Sequence, residues 1–473
     1  MIPLLDFRAD AARIDALVAR LRLDPAGLAL GGGHRAEKMK VVQAILAEVA
    51  ARGDDVLVES ARKFDDPDFD LSRLHVTPDD MRAAFDRIDP ALRDALQRSV
   101  DQVREYQSHV MPTEPTPLRR SGLELRMRFT PIDSVGVYFP GGKASYPSSL
   151  IMLAVPAIVA GVKRVVVCSP GGKFGGDVVL AAAHAAGVSE MVRMGGAAAI
   201  GALAFGTASV KAVDKIVGPG NEYVQLAKRA VSGAVGVDGF LGPSEILTLA
   251  DDSADARFVA ADLIAQAEHD PGSCFLLTTS RKLADDVLSQ IRVQLTQRQR
   301  VGAIERALRD ESMIVLAESM DDLIALADRV ACEHVSLQCR DNAAVLAKLK
   351  HAGAVYVGPW SPVAAGDYVA GPSHCLPTNT TARFASGVSV YEFLKRTSVV
   401  TYDEQSLAAD AKAIVTIATA EGLDAHAASV SARLVPSPGM AGRGNQRPRY
   451  VRRLFNISSI DSVAPQITSS LAP

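Results

Sequence analysis

Two α/β domains on parallel, Rossmann-like sheets, with helical N-terminal and C-terminal extensions, are the fold class this sequence predicts, on three observations. A chain of 473 residues exceeds what one hydrophobic core organises, so two or more domains are expected. From Ser134, short β-branched runs alternate with Ala-rich helical stretches, each run followed by a glycine-bearing turn. A second series of the same texture begins near Glu245. Such alternation means βαβ units, whose crossover helices cover a parallel sheet on both faces.

Taken in order, residues 1–34 are expected as an N-terminal helical segment. MIPLLDFRADAARID acquires acids within ten residues and has no sustained apolar run, so neither a signal peptide nor a membrane anchor is expected. Between Arg35 and His109 the chain reads as helices. KMKVVQAILAEVAARG spaces its apolar residues helically and stops at Gly53, and Asp89 and Pro90 suit the N-cap and first position of another helix. Residues 35–133 are assigned to the same domain as 243–388, with 134–242 inserted as a cofactor-side α/β domain. The apolar stretch from Ser148 to Val167 is interrupted by Pro156, Gly161, Lys163 and Arg164, which favours a buried helix and then a strand over a membrane span.

Strand candidates in the first series are Val135–Phe139, Arg164–Cys168, Met191–Met194 and Lys215–Val217. In the second they are Glu245–Leu249, Cys274–Thr278, Met313–Leu316, Val335–Gln338 and Ala354–Val357. Ligands of open parallel sheets sit beyond the carboxyl ends of the strands, so a cleft between the two domains is the expected active site. Residues 389–434 read as a C-terminal helical segment, and 435–473, rich in Pro, Gly and Arg at its start, as a flexible tail.

Composition excludes several classes. A net charge of −3 gives no basic field for a nucleic-acid backbone. The five cysteines, Cys168, Cys274, Cys332, Cys339 and Cys375, form no CxxC pair, so neither a disulfide framework nor a zinc ribbon is expected and a reducing cytoplasm is the natural compartment. Cys168, at the end of an apolar run, reads as a core thiol.

Two glycine turns, Pro140-Gly141-Gly142 and Gly218-Pro219-Gly220-Asn221, fall where a strand feeds a helix. Either is a tight structural turn or a place where a ligand meets backbone N–H groups; neither is GxGxxG, and the usual acidic ribose ligand is not evident. Gln266 and His269, at i and i+3, share a face at the end of ARFVAADLIAQAEHDPG, as a helix end or as half of a metal site. Further donors would come from Glu333-His334, two ionisable groups opening an apolar strand, from Asp367 after the last strand, and from Glu421 and His426 in EGLDAH. Each alone also reads as an ordinary surface residue. His374 stands apart from the remaining histidines in its long loop, GPSHCLPT.

Together these segments resemble the histidinol dehydrogenase family. The resemblance is carried by VGVYFPGGKASYPSSLIMLAVPAIVAGV, GGAAAIGALAFGT, DKIVGPGNEYV, GPSEIL, DLIAQAEHDP, EHVSLQ, SPVAAGDYVAGPSHCLPT, RTSVV and EGLDAH, in the family's order across residues 35 to 434. It implies oxidation of L-histidinol to L-histidinal and then L-histidine, with hydride passing to NAD, in a cytoplasmic homodimer with one zinc per site. Matching motifs make Gln266, His269, Asp367 and His426 the implied zinc ligands, the last from the partner subunit. Glu333 and His334 become the implied catalytic acid/base pair. Ser244, His374 and Glu421 are implied substrate contacts, beside Gln266, His269, His334, Asp367 and His426; Tyr138 and Asn221 are implied cofactor contacts. Where the family usually carries Gln, this chain has Ala198, which bears on NAD affinity. Leu153 replaces a common Asn, and Phe240-Leu241 a pair of small residues. The competing readings are a paralogue acting on another small polar alcohol, such as a sulfonated diol, a zinc hydrolase in which Glu333 activates water, and a non-catalytic NAD-binding regulator.

Overall fold

The computed structural model describes residues 2–24, 35–141, 146–171, 176–239, 242–269 and 272–434. The expected tail, Gly142 of the first glycine turn and Phe240-Leu241 lie outside these residues. The chain divides into two units, one of residues 1–112 with 131–395, the other of residues 113–130 with the chain from 396 onward.

In chain order, β1 (Leu4–Asp6) and α1 (Ala11–Leu21) are followed by α2 (Ala36–Arg52), α3 (Asp54–Phe64), β2 (His75–Val76), α4 (Pro78–Arg87) and α5 (Pro90–His109). The strands β3 (Leu118–Arg120) and β4 (Leu123–Pro131) come next. The first α/β series is β5 (Ser134–Tyr138), α6 (Pro147–Val159), β6 (Arg164–Ser169), α7 (Asp177–Ala186), β7 (Glu190–Arg193), α8 (Gly196–Phe205), β8 (Lys215–Val217), α9 (Glu222–Val231) and β9 (Gly236–Val237). The second is β10 (Ser244–Ala250), α10 (Ala256–Ala267), β11 (Gly272–Thr278), α11 (Arg281–Leu295), α12 (Val301–Asp310), β12 (Met313–Leu316), α13 (Met320–Val330), β13 (His334–Gln338), α14 (Asn342–Lys348), β14 (Ala354–Val357) and α15 (Val363–Tyr368). The strand β15 (Leu394–Tyr402) and helices α16 (Glu404–Ala420) and α17 (Asp424–Leu434) follow. Every strand expected from the β-branched runs is present.

The first sheet runs β2-β7-β6-β5-β8-β9, parallel except for β2, which pairs antiparallel with β7. Its faces alternate by residue. Val165 and Val167 join Val135 and Val137 in one core, while Val166 and Cys168 join Ile216 and Val192 in the other. The second sheet runs β1-β12-β11-β10-β13-β14, all parallel, with Leu247 and Leu249 on one face and Ile246 and Ala250 on the other. In each, sequence order reverses beside the first strand of its series, between β5 and β8 and between β10 and β13. The helix signals hold too. Asp89 caps α5 by accepting from the N–H groups of Ala91 and Leu92, Pro90 is its first residue, and Gly53 ends α2 at φ 57°.

The division between domains differs from the expectation. Helices α2 to α5 pack on the first series: α2 on α8 and α9, α4 on α7, and α5 on α6. Val42, Leu46 and Val49 share a core with Ile200 and Leu203, and Val100 and Val103 share one with Leu150 and Leu153. Elements close in sequence tend to pack together, and the apolar stripes of α2 and α5 are buried on the helices that come next in the chain. The N-terminus instead joins the second sheet. Leu5 pairs in parallel with Val315, and Ile14 and Leu21 enter its core. The expected helical start therefore contains an edge strand.

In the second unit, β15, β4 and β3 form a three-stranded sheet where only helices were expected, and α16 packs on α17 around Ala411, Val430 and Leu434.

Candidate active site

The groups singled out in the second series gather at the amino edge of its sheet, not beyond the carboxyl ends as expected. Ser244, the first residue of β10, pairs with Gly272, the first of β11; Ile246 pairs with His334, the first of β13. Glu245 and Glu333 therefore precede neighbouring register partners. Helices in βαβ units run back against the strands, so their C-terminal residues return to this same edge. That is how α10 delivers Gln266, and His269 just past its end, and how α15 delivers Asp367. His269 lies beyond the last helical residue, its N–H donating to the Gln266 carbonyl at 3.2 Å. Gly353 lets the edge close tightly, for a Cβ there would meet the Glu333 carbonyl oxygen at 2.5 Å.

Glu333 and His334 are buried, and both are organised by Glu245. Oε2 of Glu333 accepts from Ser244 Oγ at 2.6 Å and from the Glu245 N–H at 2.8 Å. Nδ1 of His334 lies 2.9 Å from the Glu245 carbonyl, which can only accept, so Nδ1 carries the hydrogen. Nε2 is then a bare lone pair, buried and without a hydrogen-bond partner, 3.7 Å from Asp367 Oδ1. Burial holds the imidazole below its usual range against the pull of Asp367, and pushes the Glu333 carboxyl up to about 8 against its two donors. A neutral base thus stands beside a carboxyl that exchanges its proton near neutrality.

Asp367 is pushed up to about 6 by burial. His269, open to solvent on one side, is held below its usual value by the surrounding protein and by His334. The Nε2 of Gln266 is buried and unpartnered; an amide's two ends exchange by rotation, and Oε1 in that place would suit a cation. One carboxylate, a neutral imidazole and an amide oxygen are donors that suit zinc. Among the described residues no three His, Cys, Asp or Glu side chains are grouped to hold a metal by themselves. His426 and Glu421 belong to the second unit, where both are exposed, His426 in α17 and Glu421 at the end of α16.

His374 connects the two sheets. Its Nδ1 donates to the Asp367 carbonyl at 2.8 Å, and its Nε2 accepts from Ser149 Oγ at 3.1 Å, in the first turn of α6. Burial pushes it down to about 4. Both ring nitrogens are engaged, so a substrate contact through Nε2 requires Ser149 to yield. The amino edge of the second sheet thereby faces the carboxyl edge of the first, where Tyr138 ends β5. Tyr138 is 2% exposed, and its oxygen accepts the Gly196 N–H at 3.2 Å while keeping its own proton to donate. Asn221 caps α9, its Oδ1 accepting from the Val224 N–H at 3.1 Å, which leaves Nδ2 for another partner. The second glycine turn is pinned from beneath. Asp238 Oδ2 accepts the Gly218 N–H at 2.6 Å, Lys228 Nζ donates to the Gly218 carbonyl at 2.9 Å, and the two charges pair with side chains 1% and 0% exposed. Gly218 has φ 118°, and a Cβ would meet the Tyr138 carbonyl oxygen at 1.8 Å, so only glycine fits.

Sequence reading missed Glu245, Lys228 and Asp238. Glu245 is 1% exposed, its Oε1 accepting the Asn379 N–H at 2.9 Å and its Oε2 buried without a partner. Burial pushes its carboxyl up to about 8, from an ordinary value of 4.5. An unfolded chain releases that proton first, so the stability tied to it is full below 4.5 and drains as pH rises towards 8. Glu245→Gln, which still accepts from Asn379, is expected to flatten this decline in part, since Glu333 titrates in the same sense. A denaturant midpoint falling just as steeply with pH in the variant would count against a protonated Glu245.

Comparison with known proteins gives the family. The family model for histidinol dehydrogenase matches residues 32–434. The chain is 46% identical over 395 residues to a histidinol dehydrogenase of Bradyrhizobium diazoefficiens, covering 83% of this chain and 91% of that one. It is 42% identical over 426 residues to one of Gluconobacter oxydans, covering 89% and 99%. The solved histidinol dehydrogenase of Elizabethkingia anophelis superposes with a TM-score of 0.84 at 31% identity, covering 92% of this chain and 98% of that one. With a paired carboxyl and imidazole at a sheet edge and this likeness over most of its length, the chain belongs to the histidinol dehydrogenase family and is an oxidoreductase acting on a CH–OH carbon.

Proposed function

We propose that the chain oxidises L-histidinol to L-histidine through L-histidinal, by two successive hydride transfers to NAD at one zinc site. The observation that carries this is the His334 ring, whose Nδ1–H donates to the Glu245 carbonyl and whose Nε2 is left buried and unpartnered. Zinc, held by Gln266, His269, Asp367 and His426, would orient the substrate as a Lewis acid, and NAD would receive the hydride.

The chain's own groups do the proton work. Nε2 of His334 takes the carbinol proton as the hydride leaves the carbon. Its Nδ1–H stays on the Glu245 carbonyl, which fixes the ring and spreads the positive charge it acquires. The second oxidation needs water added to the aldehyde. Glu333 removes the proton from that water, with Ser244 and the Glu245 N–H steadying its other oxygen. Because Glu333 is buried, the added water meets it in a site shielded from bulk solvent, which limits escape of the aldehyde. Tyr138 and Asn221, at the carboxyl edge of the first sheet, are assigned to the cofactor. His374 and Glu421 are assigned to the substrate.

His426 and Glu421 come from a second copy of the chain in this reading, making the enzyme a homodimer with shared sites. Mixing His334→Ala and His426→Ala chains, each inactive alone, should then restore about a quarter of the wild-type activity, since half the dimers are mixed and one of their two sites is intact. No recovery on mixing would place both residues in one chain's own site. The five free buried cysteines fit a reducing cytoplasm, and among the described residues no helix is long and apolar enough to cross a membrane.

Purified protein given zinc, NAD and L-histidinol should produce two NADH per histidinol consumed. Intact protein that yields no NADH from L-histidinol under these conditions would rule the reading out, and turnover of a different alcohol would point to the paralogue.

A further inference from the structure

Dinucleotide-binding sheets usually seat the adenosine ribose on an acid at the carboxyl end of the strand beside the first, about 20 residues after the glycine turn. No such acid follows the glycine turn after β5. The fold supplies a carboxylate at that place from another part of the chain. Asp65, just past the end of α3, puts Oδ2 within 3.4 Å of where a Cβ on Gly195 would stand, at the first turn of α8. The next residue, Gly196, donates its N–H to Tyr138, the residue that ends β5. Tyr138 is in register with Cys168 near the end of β6, the strand beside β5, and the Asp65 charge is felt at both side chains. The Asp65 carboxylate is half-buried, and among the described residues it has no hydrogen-bonding or ion-pair partner. Burial holds it above the ordinary carboxylate range. Part of the carboxylate is open to solvent, so both oxygens can accept from an incoming ligand.

Resting on the NAD reading above, we propose that Asp65 receives the 2′- and 3′-hydroxyls of the cofactor's adenosine ribose and sets the preference for NAD over its 2′-phosphorylated form. Two hydroxyl donors fit a carboxylate with two free oxygens, and a 2′-phosphate brought to the same carboxylate is repelled. In this chain the contact matters more than its geometry alone implies, because Ala198, on the same first turn of α8, offers no polar side chain to the dinucleotide.

Calorimetric titration with NAD and with NADP, on the chain without histidinol, tests this apart from turnover. Asp65→Asn and Asp65→Ser are expected to weaken NAD binding by about tenfold or more, to narrow the discrimination against NADP, and to raise the KM for NAD far more than they lower kcat. With the unaltered chain, an NAD analogue lacking the adenosine 2′-hydroxyl is expected to bind several-fold more weakly, a measurement that no folding defect disturbs. Equal binding of NAD and of this analogue by the wild-type chain, or variants that fold and keep both the NAD affinity and the NADP discrimination, would overturn the assignment and leave Asp65 as a companion of the α8 N-terminus. A wild-type chain that reduces no NAD and binds neither dinucleotide would instead overturn the cofactor reading, and this assignment with it.

Discussion

The His334→Asn chain is expected to turn over L-histidinol about 10²–10⁴-fold more slowly than the wild type, while melting within a few degrees of it. Asparagine places an N–H donor close to where Nδ1 stands, so the Glu245 carbonyl keeps a partner and the edge of β13 keeps its anchor. What disappears is the lone pair at Nε2. Its neighbours have other tasks in this reading: Glu333 serves the water of the second step, both nitrogens of His374 are engaged, and Asp367, 3.7 Å from Nε2, is assigned to the metal. Both oxidations should slow, because each hydride transfer, from the alcohol and then from the hydrated aldehyde, needs a hydroxyl proton removed.

Glu333→Gln separates the two steps. Its amide oxygen still accepts from Ser244 and from the Glu245 N–H, but it cannot take a proton from water. Single-turnover experiments should give about one NADH per histidinol in place of two, with histidinal retained at the site. Equal loss of both NADH equivalents would show that Glu333 serves the first step as well. Undiminished turnover in His334→Asn would remove the imidazole from the mechanism.

How far these residues were visible in the sequence depends on what holds each of them. All nine expected strands were legible because a parallel strand buried on both faces must be apolar at every position, and RVVVC or EILTL has few other readings. The hairpin of β3 and β4 was equally open to period-two reading: LELRMRF alternates Leu123, Leu125, Met127 and Phe129 with Glu124, Arg126 and Arg128. The stretch follows a long helical region, and a single short alternating run gives no partner strand to pair with. Which sheet α2 to α5 cover was not legible, since an apolar stripe records that a helix is buried but not against what. Glu333 and His334 stood out as charges opening an apolar strand. Glu245 has the same signature in SEIL and was read as the mere start of a strand. Its importance lies in its backbone, which serves Glu333 and His334 from across the sheet, and register of that kind is a property of the fold. The edge was misjudged for a related reason. The carboxyl-end rule describes sheets that bind ligands at their own switch points, the place that Tyr138 and Gly218 hold in the first sheet. The second sheet offers instead the edge to which its helices return. Asp65 was invisible because its neighbours Gly195 and Tyr138 are far away in sequence.

Removing either charge beneath the second glycine turn is expected to cost about 3–5 kcal/mol of stability, read as a fall in the denaturant midpoint of Asp238→Ala or Lys228→Met. Each group alone would be an uncompensated charge in a dry site, with side chains 1% and 0% exposed. Together they also hold both polar groups of Gly218. Replacing both charges at once, as Lys228→Met with Asp238→Leu, removes the charge problem and should recover part of the loss, because a buried ion pair is often no better than apolar packing. It leaves the Gly218 N–H and carbonyl without partners, a residual penalty of about 1–3 kcal/mol for each group. The double variant therefore separates two roles. If the pair serves only stability, the folded double variant should bind NAD as the wild type does. If it holds the Gly218–Asn221 turn in place for the cofactor, NAD affinity should stay low after stability has returned, with kcat at saturating NAD much less affected. A double variant no more stable than Asp238→Ala would mean that the unpartnered Gly218 backbone, not the orphaned lysine, dominates the cost.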